Sequence, residues 1–347
     1  MLAIQRLRPR FAATNIIESE DRSDRVVLTA NRGHNTDRIA CLEQVVFRND
    51  LTPEEALRAV CDREGDIDIV SELLPTDAGR VHSSEHAKLV TIDGNRLIVG
   101  IFNTYPSHDA PLDDVRVREA LNWAVDRHRL VEDGLGGYGT PLVAMTPSWC
   151  NGLFSGAQAR RADPAKAKAL FEVGGWPRER PLRIATPENL DGVAEFVAAC
   201  LRETLQIDAE VIVVPAEKLT GGARMLIEKK LVPPWDILIH AWFDLSSDLP
   251  PAVVHREFFG QDGAFRAGPV DPRFDELFAE LVRQTDPERA IKLAEEVDRY
   301  VFEQSGALFL CSPQALYAVN RHVDFKAYKC TLELADTEVS EAHWSRR

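Results

Sequence analysis

The sequence predicts an α/β or α+β protein whose strands form mixed sheets. Helical patterns, with apolar residues three and four positions apart, alternate along the chain with short β-branched runs. The segment WDILIHAWF at 235–243 is almost continuously apolar, which is typical of a strand buried on both faces. A length of 347 residues favours two or three lobes over a single core.

The first part of the chain is predicted to combine strands with one capped helix. RVVLTA at 25–30 and LEQVVFR at 42–48 have the composition of strands. Thr52, Pro53 and Glu55 then form a capping-box start for a helix. The elements expected next are a strand from Ile67, a short helix within 75–87, and two strands around the turn dipeptide Asp93-Gly94.

An amphipathic helix is predicted within DDVRVREALNWAVDR at 113–127. Asp113 or Asp114 can cap its first turn, where acidic residues also suit the helix dipole. One face carries apolar residues at i, i+3, i+4, i+7 and i+8, namely Val117, Ala120, Leu121, Ala124 and Val125. Further helices are expected in DPAKAKALFEVGGW, NLDGVAEFVAACLRETL, DPRFDELFAELVRQ and DPERAIKLAEEVDRYVFEQS, and further strands in PLRIATPE, IDAEVIVVPAE and GALFLCSPQALYAVNRHVDFKAY.

Composition excludes several classes of protein. A net charge of −14 would repel nucleic acid and anionic membranes, so neither is an expected partner. No apolar run reaches the roughly 18 residues of a membrane span. The first 25 residues lack the apolar core of a signal peptide, which predicts a cytoplasmic protein if Met1 is the natural start. None of the six cysteines forms a CxxC pair, so reduced thiols are expected.

The string APLDDVRVREALNWAVDRHRLVEDGLGGYGTPLVAMTP resembles the domain-entry signature of family 5 solute-binding proteins, the oligopeptide, dipeptide and nickel binders of ABC importers. Segments similar to the family, such as GDIDIVSELLP and WDILIHAWFDLSSDLP, follow the family's order along nearly the whole chain. The resemblance implies a periplasmic-binding-protein-like class II (type C) scaffold of two lobes, with lobe I incomplete. It divides the chain into 1–103 as the remaining part of lobe I, 104–312 as lobe II, and 313–347 as a return segment and C-terminal tail.

The resemblance also implies a ligand site. The family's acid that holds a peptide ammonium aligns with Asp244, or with Asp248 if the gap moves, although Asp244 could instead cap the following turn. The start of NLDGVAEFVAA lacks the arginine of dipeptide binders, which argues against bidentate carboxylate capture. Aromatic and polar residues predicted to line the cleft are Asn103, Tyr105, Trp149, Trp242 and Phe243, with core packing as the alternative for the tryptophans.

Other chemistry has little support in the sequence. HSSEH at 82–86 fits a zinc-binding spacing but offers no third ligand, and no base is identifiable for Cys150. We therefore expect no catalytic residue, no metal and no cofactor. The predicted function is non-catalytic binding of a small molecule or short peptide, in an intracellular sensing, carrier or accessory role. The alternatives are an interaction subunit without a ligand, in which a homodimer or partner covers lobe I, and a periplasmic peptide-import protein lacking its leader.

Overall fold

The chain forms two compact units in the computed structural model. The structure describes residues 3–9, 15–18, 25–30, 41–94, 96–106, 108–177, 179–215, 217–218, 228, 233–243, 252–327, 334 and 336–347. Unit 1 comprises Met1–Gly94 and Gln314–Arg347, and unit 2 comprises Asn95–Pro313. Unit 2 is therefore inserted into the sequence of unit 1.

Strands and helices alternate over most of the chain, as the sequence predicts. The strands are β1 (Ala3–Pro9), β2 (Asn15–Glu18), β3 (Arg25–Ala30), β4 (Leu42–Arg48), β5 (Ile69–Val70), β6 (Ala87–Asp93), β7 (Arg96–Phe102), β8 (Gly139–Pro141), β9 (Leu182–Pro187), β10 (Ala209–Val214), β11 (Ile237–Phe243), β12 (Ala307–Asn320), β13 (Val323–Asp324) and β14 (Glu338–Val339). The α-helices that lie wholly within the described residues are α1 (Pro53–Asp62), α2 (Ala78–His82), α3 (Val115–Ala124), α4 (Arg127–Arg129), α5 (Pro164–Gly174), α6 (Asp191–Leu205), α7 (Ala252–Phe259), α8 (Pro272–Arg283) and α9 (Pro287–Glu303).

Unit 1 is built on an antiparallel sheet in the order β5-β1-β4-β3-β2. The second half of β12, Gln314–Asn320, adds to this unit by pairing with β6 and β5. Helix α1 begins with the predicted capping box, because Glu55 N donates to Thr52 Oγ1 and Thr52 N donates to Glu55 Oε2. The predicted strands at 25–30 and 42–48 and the predicted helix start are confirmed.

A buried carboxylate in unit 1 joins distant parts of its sequence. Asp68, just before β5, is fully buried. Its Oδ1 accepts hydrogen bonds from Asn320 Nδ2 at 3.2 Å and Trp344 Nε1 at 2.9 Å, and His343 Nε2 lies 3.0 Å away. These contacts hold the C-terminal residues of the chain to the sheet of unit 1.

Unit 2 is built on a mixed sheet in the order β10-β9-β11-β7-β12. The strands β9, β10 and β11 are parallel, whereas β7 runs antiparallel to β11 and to the first half of β12. Helices α3, α5 and α6 cover one face of this sheet, and α7, α8 and α9 cover the other. Gly100 of β7 allows the close packing of the first face, since a Cβ there would lie 2.7 Å from Ile237 Cγ2.

Helix α3 confirms the predicted amphipathic segment. Asp114 is its N-cap and accepts from Arg116 N at 2.8 Å. All five predicted apolar residues are buried in the core on the α3 face of the sheet. The helix ends earlier than the pattern suggests, because Val125 is extended and Asp126 caps the separate short helix α4.

Two local expectations differ from the structure. The strands on either side of Asp93-Gly94 do not form a hairpin in the described pairings, because β6 pairs with β12 in unit 1 and β7 pairs with β11 and β12 in unit 2. The dipeptide instead lies where the chain passes from unit 1 to unit 2. Strand β11 is fully buried on one face at Ile237 and Ile239, whereas His240 and Trp242 on the other face are only half-buried.

Candidate functional site

The carboxyl ends of the three parallel strands of unit 2 lie at one edge of its sheet. Strand β9 ends at Pro187, β10 at Val214 and β11 at Phe243. In open α/β sheets, ligands bind outside this edge, where the strands lead into loops. The edge is therefore the first place in unit 2 to look for ligand-binding side chains.

Trp242 is the large aromatic residue that β11 presents near this edge. Its ring packs edge-on against Phe258 and Phe265, at centroid distances of 5.2 and 5.0 Å. The indole Nε1 is buried, and no residue within the described ranges accepts a hydrogen bond from it. A buried donor without an acceptor costs about 1–3 kcal/mol. An acceptor on a bound molecule would remove that cost.

His240 lies two residues before Trp242 and so points to the same face of the sheet. The two ring centroids are 6.3 Å apart. Burial lowers the pKa of His240, which leaves its imidazole neutral at neutral pH. A neutral imidazole can exchange hydrogen bonds with a ligand or bind a metal ion. Trp242 and His240 thus give this face both an apolar surface and polar atoms.

Asn103 and Tyr105 lie at the other end of the sheet from Trp242. Phe102 pairs with Ile237, the first residue of β11, so about 17 Å of strand separates this end from Trp242. Asn103 is fully buried, and its Nδ2 donates to the carbonyls of Pro233 at 3.1 Å and Trp235 at 3.0 Å. Tyr105 packs against the small core around Trp235. These contacts hold the chain after β7, and the structure does not bring the pair together with Trp242.

The other predicted site residues have different positions. Trp149 is half-buried in the loop after β8, which is anchored where Thr146 N donates to Asp298 Oδ1 at 3.1 Å. Phe243 ends β11 opposite Arg96, and its side chain is outside the described part of the structure. The predicted ammonium-binding acids, Asp244 and Asp248, also lie outside the described residues.

A charged cluster at the start of β11 was not predicted from the sequence. Asp236 is fully buried and accepts from Arg180 Nη1 at 2.8 Å, Arg180 Nη2 at 2.7 Å and the main-chain N–H of Arg183 at 2.7 Å. His108 Nε2 lies 2.5 Å from Asp236 Oδ1, and Asp109 contacts Arg180 at 2.6 Å and Arg183 at 3.0 Å. The sequence does place charged residues next to the predicted strand ends. It does not show that Asp236 pairs with His108, 128 residues earlier, and with Arg180, 56 residues earlier, because no local pattern encodes such contacts.

The pKa values of the two acids follow from these contacts. Burial alone raises the pKa of Asp236, but the hydrogen bonds from Arg180, the Arg183 main chain and His108 lower it below its ordinary value. The hydrogen bond from Arg180 lowers the pKa of the more exposed Asp109 to about 2. Both carboxyl groups are therefore ionised at neutral pH.

The cluster has the donor atoms of a metal site but not its charge balance. His108, Asp109 and Asp236 each offer one ligand atom, and these three atoms all lie within 4.8 Å of one another. However, the guanidinium groups of Arg180 and Arg183 already lie 2.7 and 3.4 Å from Asp236 Oδ1, where a cation would have to bind. The arrangement therefore fits a structural ion-pair network.

The HSSEH segment does not form the helix that zinc binding would need. Helix α2 ends at His82, and Ser84 Oγ accepts from His86 N at 3.0 Å in a turn before β6. The two histidines therefore do not share one helix face.

Among the helices of the described ranges, none combines the length and apolar character needed to cross a bilayer.

Comparison with known proteins identifies the family. The sequence model for "Bacterial extracellular solute-binding proteins, family 5 Middle" matches residues 16–263, which is more than half of the chain. This chain belongs to family 5 of the bacterial extracellular solute-binding proteins. The predicted family is confirmed.

Similar sequences include periplasmic nickel-binding and oligopeptide-binding proteins. The chain is 31% identical over 268 residues to the nickel-binding periplasmic protein of Escherichia coli (strain K12), covering 69% of the chain and 48% of that protein. It is 25% identical over 254 residues to the periplasmic oligopeptide-binding protein OppA of Haemophilus influenzae (strain ATCC 51907 / DSM 11121 / KW20 / Rd), covering 68% and 44%. The chain thus spans about half the length of these relatives.

Solved structures of binding proteins share the fold. The ABC transporter substrate binding protein CtaP of Listeria monocytogenes matches with a TM-score of 0.81 at 16% identity, covering 94% of this chain and 66% of CtaP. NikA of Staphylococcus aureus, solved in complex with Ni(L-His)2, matches with a TM-score of 0.70 at 14% identity, covering 94% and 68%. These likenesses concern the fold, and they confirm the predicted solute-binding scaffold with mixed sheets.

Proposed function

We propose that this chain binds a small solute at the carboxyl edge of β9, β10 and β11, and that it catalyses no reaction. Membership of family 5 supports binding as the activity. The observation that carries the location is the buried indole N–H of Trp242, which has no acceptor within the described residues. A ligand oxygen next to Trp242 would supply that acceptor, and the indole ring would supply an apolar contact.

Two ligand classes follow from the relatives and from the chemistry of this face. Peptides offer carbonyl and carboxylate oxygens for the Trp242 N–H, and the similar OppA is named for oligopeptides. A nickel chelate is the second class, because the first relative is named for nickel and the neutral imidazole of His240 could bind the metal or its chelator. Trp149, Phe243 and an acid at Asp244 or Asp248 complete the proposed set of ligand-binding residues.

Solute binding could serve sensing, carriage or delivery to an importer, and the cell compartment separates these roles. The similar proteins are named as periplasmic, which favours delivery. Immunoblots of periplasmic and cytoplasmic fractions are the test, with cytoplasmic protein supporting the sensing or carrier role predicted from the sequence. The homodimer or partner subunit expected from the sequence stays a prediction.

Calorimetric titration of paired variants tests the site. The probes are a tripeptide mixture, and Ni(II) with two equivalents of L-histidine. Trp242→Phe keeps an aromatic ring but removes the N–H. Loss of one hydrogen bond worth about 0.5–1.5 kcal/mol should weaken binding about 2–12-fold. Trp123→Phe is the matched control, because the Trp123 N–H on helix α3 already donates to Glu119 at 3.0 Å.

Each outcome of the titration has a defined meaning. Weaker binding in Trp242→Phe with unchanged binding in Trp123→Phe supports the site. Equal affinities in both variants and in the unaltered protein would show that the ligand does not bind next to the Trp242 N–H. If neither probe class binds to the folded, unaltered protein, the proposed ligand classes are wrong.

A further inference from the structure

Unit 2 contains a cavity whose lining does not include Trp242. It has a volume of about 320 Å³ and lies between the end of β7, the helices α7, α8 and α9, and the loop that precedes α8. Phe258, Phe259 and Phe274 form its apolar walls, and Arg118, Arg266 and Tyr300 contribute polar atoms. Pockets for small molecules begin at about this volume and combine apolar walls with a few polar groups in the same way.

Arg118 brings a buried positive charge to this cavity. The residue is 9% exposed, and its guanidinium donates to the carbonyls of Leu112, Asp113, Gln304 and Ser305 at 2.8–3.2 Å. All of these acceptors are neutral, and among the described residues no carboxylate lies within ion-pair distance of Arg118. Burying a cation without a direct counter-charge is costly, so an anion beside Arg118 would be stabilised.

The acids near the cavity offset the burial of this positive charge only in part. Asp114, Asp113 and Asp271 attract the guanidinium, yet burial still lowers the pKa of Arg118 below its ordinary value. Asp271 accepts from Arg273 N at 3.0 Å, Phe274 N at 3.2 Å and Tyr300 OH at 2.9 Å, so both of its oxygens already take part in hydrogen bonds. Asp113 is exposed, where water screens its charge. Arg266 adds a second guanidinium to the wall. The nearby acids still disfavour a doubly charged anion, which limits the ligand to one negative charge.

We propose that this cavity binds a small monocarboxylate that carries an aromatic or branched aliphatic group. The carboxylate lies toward Arg118 and Arg266, and the apolar group lies among Phe258, Phe259 and Phe274. This site is additional to the solute site and does not include Trp242, although Phe258 in its wall contacts the Trp242 ring. The cavity therefore selects ligands that carry one negative charge and an apolar group about the size of a ring.

A charge series with a constant ring tests the ligand class. Phenylacetate and phenethylamine carry the same ring but opposite charges, and saturation-transfer NMR with titration measures the affinity of each. Phenylacetate should bind at least about tenfold more tightly than phenethylamine, since a charged hydrogen bond contributes about 1.5–3 kcal/mol. Equal affinities, tighter binding of the amine, or no binding of phenylacetate overturn the proposal.

Two valine variants test the location. Val270 is 43% exposed and lines the cavity, so Val270→Trp should fill its mouth without disturbing the core. Val282 on α8 is 60% exposed and does not line the cavity, so Val282→Trp is the matched control. Phenylacetate binding should fall at least about tenfold in Val270→Trp and stay unchanged in Val282→Trp.

Further variants separate this site from the solute site. Arg266→Gln removes one charge and should weaken phenylacetate binding about tenfold or more, with a smaller effect on any amine. Trp242→Phe keeps an aromatic ring beside Phe258, so phenylacetate binding should fall by much less than the roughly tenfold loss in Val270→Trp, whether or not the solute site is correctly assigned. Unchanged binding in Val270→Trp, or a loss in Trp242→Phe as large as the loss in Val270→Trp, contradicts a separate cavity site.

Discussion

Replacing Asp236 by Asn tests whether the charged cluster at the start of β11 stabilises unit 2. The substitution keeps the shape of the side chain but removes its charge and one acceptor oxygen. Whichever way the amide turns, its NH2 would face a donor that the carboxylate now accepts from, either Arg183 N or Arg180 Nη2, both at 2.7 Å. Arg180, whose side chain is only 11% exposed, would lose its buried counter-charge.

The expected loss follows from these two changes. An unsatisfied buried N–H costs about 1–3 kcal/mol, and breaking a buried ion pair by removing one partner costs about 3–5 kcal/mol. Arg180 keeps Asp109 as a partner at 2.6 Å, which places the expected destabilisation of Asp236→Asn near the lower end, at about 3 kcal/mol. Asp109→Asn is the control. Its side chain is 67% exposed, so its loss should stay below about 1 kcal/mol.

Hydrogen exchange measured by mass spectrometry can follow unit 2 without assuming that the whole chain unfolds in one step. Protection of peptides from β9 and β11 should fall about 100-fold in Asp236→Asn, since 1.4 kcal/mol corresponds to a factor of ten. Protection in Asp109→Asn should stay within about fivefold of the unaltered protein. Equal protection in the two variants would refute a stabilising role for the buried ion pair.

The same cluster predicts the sign of a pH effect. The pKa of Asp236 is lowered in the folded state, so its contribution to stability is present above the ordinary carboxyl pKa near 4. That contribution is lost as the pH falls through the folded pKa. The free energy of unfolding should therefore drop more steeply below about pH 4 in the unaltered protein than in Asp236→Asn, as measured by urea denaturation.

Three further substitutions test the packing and capping of the fold. Gly100→Ala places a Cβ 2.7 Å from Ile237 and should destabilise unit 2 by about 1–3 kcal/mol, and a melting temperature equal to that of the unaltered protein would contradict this packing. Leu121→Ala removes a fully buried side chain and should cost about 2–5 kcal/mol in urea denaturation, so a loss below 1 kcal/mol would place Leu121 outside the core. Thr52→Ala removes a cap worth about 1 kcal/mol, and faster amide exchange in α1 is expected, whereas Thr52→Ser should behave like the unaltered protein.

The helices were predictable because their signals are local. Thr52 and Glu55 are three residues apart, and the apolar face of α3 repeats within three turns. The pattern did not show that α3 ends at Ala124. Val125 could be buried either as part of the helix or in an extended segment after it. The chain is extended at Val125 because Asp126 is the N-cap of the next helix, α4.

Contacts between distant segments were not predictable in the same way. Asp93-Gly94 has the composition of a hairpin turn, yet the flanking strands pair with β12, more than 200 residues later in the chain. Asn103 and Trp242 were both predicted to line the cleft, but the antiparallel register of β7 and β11 places them at opposite ends of the sheet. The register of β7 against β11 and the charged partners of Asp236 both depend on contacts between distant segments, which a short sequence motif does not predict.

The insertion of unit 2 within the sequence of unit 1 sets an order for folding during synthesis. Unit 2 is continuous from Asn95 to Pro313, so its chain is complete before Gln314 is added. The contacts of Asp68 cannot form until Asn320, 252 residues later, and His343, 275 residues later, have been synthesised. At about 5–20 residues per second, the wait for Asn320 is about 13–50 s, during which the partner strands of unit 1 are unfinished. A ribosome that pauses before Gln314 therefore holds one unit whose chain is fully synthesised and one whose apolar core still lacks Tyr317, Val319 and Phe325.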